Sequence, residues 1–383
     1  MEQLPYPPLL VERLTVRRVR NLDGVDLEPA RRLNVLTGHN GHGKTSLLEG
    51  LYLACTTKSF RTAKLRELVQ HRADTAFVGV HLLEEHDHGP VRRKQTVGVE
   101  KGKRTARIDG EPPPSLTAYA LLSPVVVFDP AQLRLSTGPA SERRTLLDRV
   151  SLYAVPAVGE HRTRYRRALR ERQHLLAETR DLSNPALGPY ERLLAEHGAA
   201  ITRVRREVSE RLALAMRGAF TAIAAPNLSF DVAYAPGGHE DPQEAERRLY
   251  AARQADLQRR STGFGPHRDD LRLTIDGRLA RVVASQGQHR AITLSLKVAE
   301  MSAIAHARQR LPILLLDDVS SELDAERTAA LFRFLAQTRS QTFLTTTRAN
   351  LILEADIAAS TEAAERRFYD VLDGEISLRM SGG

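Results

Sequence analysis

The chain has no tryptophan, and aromatic residues make up only 5% of its 383 positions. Proteins that hold unpaired bases stack them on aromatic faces, so this scarcity argues against single-strand recognition and favours backbone contact with a duplex or junction. There is one cysteine, Cys55. It falls in an apolar helical stretch where packing is expected rather than redox or metal chemistry, and no Cys/His spacing suggests zinc. Long apolar runs are also missing. Pro124 to Phe128 and Ile313 to Leu316 are far too short to span a bilayer, and nothing at the N-terminus has the pattern of a signal peptide, so a soluble, cytosolic protein is expected. Acidic residues are the minority, 47 against 56 Lys and Arg, giving a formal net charge of +9. That balance favours polyanionic partners, with nucleic acid and a membrane surface in competition. No internal repeat or low-complexity block is evident.

What the chain does have is a phosphate loop, Gly38-His39-Asn40-Gly41-His42-Gly43-Lys44-Thr45-Ser46, matching G-x-x-x-x-G-K-[ST]. Successive backbone N–H groups must turn inward to surround a phosphate, and glycines at 38, 41 and 43 permit the dihedrals this needs. Leu33 to Leu36 reads as the short buried strand before the loop, and a helix from about Lys44 to Cys55 aims its N-terminal dipole at the anion. In this setting Lys44 is expected to reach the β and γ phosphates of ATP and Thr45 to ligate Mg²⁺. His39 and His42 occupy permissive loop positions and are expected to be exposed rather than catalytic.

A second element lies far downstream. Ile313 to Leu316 is a continuous apolar run, as expected of a parallel strand buried on both faces, and it delivers Asp317 and Asp318 to the carboxyl edge of the sheet. Neighbouring strand side chains point opposite ways, so Asp317 is assigned to the metal and Asp318 to the attacking water. Taken alone, an Asp-Asp pair at a strand end would be read as a helix N-cap.

Between these elements the composition changes. After Pro112-Pro113-Pro114, the stretch from Arg143 to Arg217 interleaves charged residues with Leu and Ala, predicting two long helices joined near Asn184-Pro185 and Gly188-Pro189. The expected organisation is an α/β head in two halves, 1–112 and 256–383, with a mainly α-helical arm over 113–255. In the first half, Ala76 to Glu84, Val91 to Val99 and Arg104 to Ile108 are expected to pair as antiparallel strands, the last two around Lys101-Gly102-Lys103. Two basic runs are candidates for DNA phosphate. One is Lys58, Arg61, Lys64 and Arg66 on the head. The other is Arg162, Arg164, Arg166, Arg167, Arg170 and Arg172 on the arm, led by Arg162, Arg166 and Arg170, with Arg203, Arg205 and Arg206 further on. A charge run is more often a solvated face, and that reading stands beside the DNA one.

With these residues in place, the chain resembles the ABC-type ATPase heads of the SMC group and, within it, the RecF family. The resemblance runs nearly end to end. It is carried by Arg20-Asn21, the loop and helix from Gly38 to Gly50, Lys58-Ser59-Phe60-Arg61, Gly265-Pro266-His267-Arg268-Asp269-Asp270-Leu271, and Ser285-Gln286-Gly287-Gln288 as a shortened signature motif. Asp317, Ser321, Glu322, Leu323, Asp324, Arg327 and Leu331 follow at the family's spacing. The resemblance implies an ABC-type P-loop head of mixed sheets and helices, with the helical arm inserted between the phosphate loop and the signature and Asp-Asp segments. It also implies that Ser285 contacts the γ-phosphate held by a second copy, which places Ser285 with Lys44 and Asp318 in the catalytic set and adds Arg20 and Gln288 to the nucleotide contacts. ATP-dependent homodimers, DNA binding, and work with RecR and RecO to load RecA are implied in the same way.

Some positions depart from the family pattern. Pro130 to Asp148 keeps Arg143, Arg144 and Asp148 but has Ala131 and Gln132 where acids are usual, Pro139 one position early and Leu146 in place of an aromatic. Gln132 is a candidate Mg²⁺ sensor, or else a polar loop residue. Many ABC ATPases carry Glu where Asp318 stands, and a His in the segment occupied here by Thr345-Thr346-Thr347-Arg348. Asp is one methylene shorter than Glu and water positioning tolerates little displacement, so slow hydrolysis is expected. In the Gly265–Leu271 motif, His267 and Arg268 are candidates for nucleotide or partner contact, with a capped turn as the structural alternative. A transporter ATPase subunit would share the ATP motifs, but the short signature, the Asp, the absent His and the long basic arm argue against it. An SMC-like structural clamp differs only in degree.

Overall fold

The structure, a computed structural model, describes residues 4–86, 88–178, 181–223, 228–318, 329, 335, 337–347 and 361–379. Ser321, Glu322, Leu323, Asp324, Arg327, Leu331 and Arg348 lie outside these. The chain opens on strands β1 (Leu9–Val19) and β2 (Leu22–Leu27), then β3 (Leu33–Thr37) and helix α1 (Lys44–Thr56). All five residues of β3 are buried, as a strand covered on both faces requires. Helix α1 is apolar almost all round and is correspondingly enclosed.

Strands β4 (Thr75–Glu84), β5 (Val91–Glu100) and β6 (Lys103–Ile108) follow at the expected places and pair antiparallel, β5 and β6 turning at Lys101-Gly102. Helix α2 (Leu116–Leu121), capped by the Ser115 side chain, leads into β7 (Val125–Phe128). Helices α3 (Arg134–Thr137), α4 (Ala140–Ala154), α5 (Val158–Glu178) and α6 (Leu187–Ile223) come next. The expected break at Asn184-Pro185 is real, but Gly188-Pro189 does not interrupt a helix. Pro189 sits in the first turn of α6, where its missing N–H would have no partner anyway. Strand β8 (Phe230–Ala235), helices α7 (Pro242–Ala251) and α8 (Arg253–Arg259), strands β9 (Asp270–Ile275) and β10 (Arg278–Leu279), and helices α9 (Ala280–Val283) and α10 (Gln286–Arg308) complete the middle. The described remainder supplies β11 (Ile313–Leu316), β12 (Thr342–Thr346), β13 (Arg366–Leu372) and β14 (Glu375–Leu378).

Among the described residues the strands form three sheets, ordered β2-β1-β4-β5-β6, β10-β9-β8 and β14-β13-β3-β12-β11-β7. In the last, β13, β3, β12, β11 and β7 run parallel, so all their carboxyl ends open on one edge.

Packing divides the chain into two units, Met1–Gln132 with Ala222–Ala224 and Ile304–Gly383, and Leu133–Thr221 with Ala225–Ala303. The first holds a core running from Leu9 and Leu14 through Leu47, Leu48 and Leu51 to Val127, Leu315 and Phe343. The second has an apolar cluster of Val158, Tyr165, Ala168, Leu194, Ala195, Ile201, Ala245 and Leu249, and carries buried ion pairs. Arg172, fully enclosed, donates to Glu191 at 3.0 Å, Asp256 at 2.8 Å and Thr262 at 2.8 Å. Arg205 bridges Asp148 at 2.6 Å and Asp269 at 2.7 Å.

Candidate active site

Register explains why residues remote in sequence meet in the first unit. Leu316 pairs with Phe128 on one side and Leu344 on the other, so the next residue, Asp317, emerges between Asp129 and Thr345. Asp317 N donates to Phe128 O at 2.8 Å, which fixes the strand end. Thr37 ends β3 level with Thr346, which puts the phosphate loop on the same edge.

The loop is braced from several sides. Gly38 has φ +157°, and a Cβ there would lie 2.2 Å from Val371 O, so the backbone of β13 occupies the space of any side chain. Gly43, at φ +116°, precedes α1 directly. Asn21 Nδ2 donates to Gly41 O at 3.1 Å, and Asn21 Oδ1 accepts from Ser46 Oγ at 2.8 Å. The turn between β13 and β14 closes the other side, Gly374 N donating to His42 O at 2.9 Å and Asp373 N to His42 Nδ1 at 3.3 Å. His39, Asn40 and Gly41 are exposed, whereas His42 is half-buried because of this contact.

Lys44 Nζ donates to Gly38 O at 2.6 Å and His39 O at 2.9 Å, holding the loop closed around its own amine. Burial lowers its pKa, while the Asp318 and Asp317 carboxylates oppose the shift. Thr45 Oγ1 donates to Asp317 Oδ1 at 2.8 Å. Thr345 Oγ1 donates to the same oxygen at 2.9 Å and accepts from Asp318 N at 2.9 Å. Burial raises the Asp317 pKa, the Asp129 and Asp318 carboxylates push the same way, and the two threonine hydroxyls offset part of it. A carboxylate held at a cost beside others of its kind is one that a cation would relieve.

The residues present fit Mg²⁺. Among the described residues no group of three or more His, Cys, Asp or Glu forms a metal cage, but Mg²⁺ is bound by one or two carboxylates together with substrate phosphates and water, not by dedicated cages. Thr45 and Asp317 already converge. Gln132, in the turn after β7 that begins at Pro130, has its Oε1 buried with no hydrogen-bond partner among the described residues. An orphaned acceptor of that kind asks for an explanation, and an ion is one.

Other candidate residues are placed as follows. Arg20 belongs to the first unit, where its guanidinium donates to Glu49 at 2.9 and 3.0 Å and to Glu67 O at 2.7 Å. Glu49 is fully buried in α1 and also meets Ser59 Oγ and, at 3.6 Å, Arg61. Lys58, Arg61, Lys64 and Arg66 are exposed on that unit. Ser285 and Gln288 belong to the second unit and cap each other. Gln288 N donates to Ser285 Oγ at 3.2 Å and Ser285 N to Gln288 Oε1 at 2.7 Å, a capping box that starts α10.

The arginine-rich helix does not present one basic face. At 100° per residue Arg162, Arg166 and Arg170 share a side, but Arg172 turns into the core, and Arg205 on α6 is likewise buried between carboxylates. Neither Arg172 nor Arg205 offers its charge to a partner. Arg162 is mostly buried against Asp148 at 2.6 Å, whereas Arg166 and Arg170 are exposed. The Gly265–Leu271 motif is likewise tied inward. Arg143 pairs with Asp270 at 2.7 Å, Arg144 donates to Asp269 O at 2.8 Å, and Asp269 accepts from Arg205, Tyr234 and Gly237 N. His267 shares a 2.7 Å hydrogen bond with Tyr165.

A glycine-rich loop after a central parallel strand, with its threonine bonded to the aspartate ending a strand of the same sheet, defines a P-loop nucleotide-binding head, here of the ABC type. The RecF/RecN/SMC N terminal domain family matches residues 10–368. The chain belongs to the RecF family. The DNA replication and repair protein RecF of Anaeromyxobacter sp. (strain Fw109-5) is 42% identical over 377 residues, 96% of this chain and 99% of that protein. The protein of the same name from Myxococcus xanthus (strain DK1622) is 37% identical, covering 96% of both. A solved structure of the recombination mediator protein RecF-ATPrS in the RecFOR pathway superposes with a TM-score of 0.84 at 27% identity, over 97% of this chain and 99% of that one.

Proposed function

We propose that this protein is an ATP-dependent DNA-binding protein of DNA replication and recombinational repair, in which ATP joins two copies and slow hydrolysis releases them. The observation that carries the reading is the 2.8 Å contact between Thr45 and Asp317, which gathers the phosphate loop and the acidic strand end into one site in a chain of this family. The backbone of Gly38 to Ser46, with Lys44, would hold the β and γ phosphates. Thr45 and Asp317, with Gln132 as a further ligand, would hold Mg²⁺, which when bound neutralises charge on the phosphate oxygens. Arg20 and Gln288 complete the proposed nucleotide contacts. Asp318 accepts a proton from the attacking water as its oxygen bonds to the γ-phosphorus and the bond to the β,γ-bridging oxygen breaks; the proton leaves on phosphate, giving ADP and inorganic phosphate.

Ser285 of a second copy would donate to the γ-phosphate across the pair, so ATP favours the dimer and hydrolysis removes the bridge. In this reading the head is 1–112 with 256–383, the arm is 113–255, and ATPase activity is weak and DNA-stimulated. Duplex, gapped or junction DNA is bound through phosphate contacts at Lys58, Arg61, Lys64 and Arg66, and at Arg166 and Arg170, with Arg162 of the same run held back by Asp148, and with weaker preference for single strands. RecR, RecO and RecA are the proposed partners, in the cytoplasm. The relatives' names and the RecFOR pathway of the solved RecF support the reading. The test is ATP binding and hydrolysis by wild type and Lys44→Ala, with duplex affinity measured alongside. Equal duplex affinity with ATP and with ADP would overturn it.

A further inference from the structure

The geometry points to Thr345 as the positioning residue of the acidic pair, a hydroxyl that sets Asp317 and Asp318 together for hydrolysis while leaving nucleotide binding to the phosphate loop. This rests on the reading of Asp317 as the Mg²⁺ ligand and Asp318 as the proton acceptor.

Thr345 is fully buried in β12, between β3 and β11. Its Oγ1 donates its only proton to Asp317 Oδ1 at 2.9 Å and accepts the Asp318 N–H at 2.9 Å. One oxygen therefore fixes a side chain and the backbone of its neighbour at once. That backbone needs fixing, because Asp318 has φ +46°, a left-handed conformation that a residue with a Cβ adopts only when its surroundings impose it. Thr345 lies in the segment where many ABC ATPases carry a histidine. Here a threonine stands in that segment, and its hydroxyl bonds both acidic residues. The rest of the loop does not depend on it. Lys44 is held by Gly38 O and His39 O, and Asn21 and Gly374 brace the turn.

Thr345→Val removes the hydroxyl with little change of shape, Thr345→Ser keeps the hydroxyl, and Asp318→Asn tests the reading beneath. The full-length protein is assayed for ATP affinity by direct titration and for kcat with Mg²⁺ present. The expected result for Thr345→Val is unchanged ATP affinity with kcat down about 10- to 100-fold, the range seen when a supporting partner is lost or a reacting group is displaced by about 1 Å. Thr345→Ser restores kcat. Should the valine protein fail to fold, Thr345→Cys, near in size and a weak donor, takes its place and is expected to be slow as well. A Thr345→Val or Thr345→Cys protein with wild-type kcat, a serine protein as slow as the valine one, or a loss confined to ATP affinity overturns the inference while Asp318→Asn stays slow. Wild-type hydrolysis by Asp318→Asn would instead overturn the assignment on which it rests.

Discussion

Thr45 and Asp317 are 272 residues apart in sequence, yet the Thr45 hydroxyl donates to the Asp317 carboxylate at 2.8 Å. The contact exists because β3 and β11 flank β12 in one parallel sheet and end on the same edge, and α1 starts where β3's loop ends. Its electrostatic consequence is testable. The Asp317 pKa is raised above 3.8, chiefly by burial, so the folded chain binds this proton more tightly than the unfolded one. Stability therefore falls as pH rises from 3.8 through the folded value, and at neutral pH the ionised group weakens the fold when no cation is present. Asp317→Asn is expected to melt higher than wild type at pH 7 without nucleotide or Mg²⁺, the difference narrowing as pH falls toward 3.8. It should also lose the stabilisation that Mg²⁺ and ATP give wild type. A lower melting temperature at pH 7 would contradict this.

Gly374 lies in a hairpin turn far from the phosphate loop in sequence, at φ +89°, and a Cβ there would stand 2.2 Å from Asn21 O. Asn21 in turn holds Gly41 and Ser46. Gly374→Ala should cost more than about 1 kcal/mol, since alanine at positive φ is strained, and should weaken ATP binding with it. Chemical denaturation and an ATP titration measure the two effects. Wild-type values in both would show that the hairpin does not support the loop.

The arm's arginines should separate into two kinds. Arg172→Met leaves Asp256 and Glu191 buried without their central cation, at a cost of about 3–5 kcal/mol, toward the lower end because Arg253 still pairs with Glu191 at 2.7 Å. Arg170→Ala, on the exposed side, should change stability by less than about 0.5 kcal/mol. If Arg170 meets a phosphate, the slope of log affinity against log salt drops by about 1. Denaturant midpoints and duplex titrations at several salt concentrations check both, and a stability loss at Arg170 matching that at Arg172 would be the contrary result.

Much of this was legible in the sequence where the cause is local. The loop's glycines, the buried run of β3, the apolar α1 and the Asp-Asp strand each announce themselves within a dozen residues. Less legible was anything that depends on which strand lies beside which. Thr345 and Asp129 become neighbours of Asp317 only through the pairings of Leu316, and no local pattern marks a threonine in β12 as different from Thr346. Glu49 gives a faint signal, a lone acid in an apolar helix, which its pairing with Arg20 explains. Arginine crowding misleads for the opposite reason. A helix distributes consecutive charges around its axis, and whether one of them meets Glu191 and Asp256 in the core is decided by the fold.

The signature motif carries a structural load of its own. Ser285 and Gln288 cap α10 reciprocally, so removing the serine hydroxyl should cost about 0.5–2 kcal/mol before any role toward a nucleotide is considered. Ser285→Arg is therefore expected to bind ATP normally with a modest loss of stability, and to remain a monomer. Unimpaired pairing in that variant would separate the serine from the interface.

The most direct measurement is the sedimentation mass of the full-length protein without nucleotide, with ADP and with ATP, beside Lys44→Ala with ATP. A monomer in every condition except wild type with ATP, where the mass doubles, is the outcome expected if the γ-phosphate joins two copies. One unchanging mass across all four samples would contradict it.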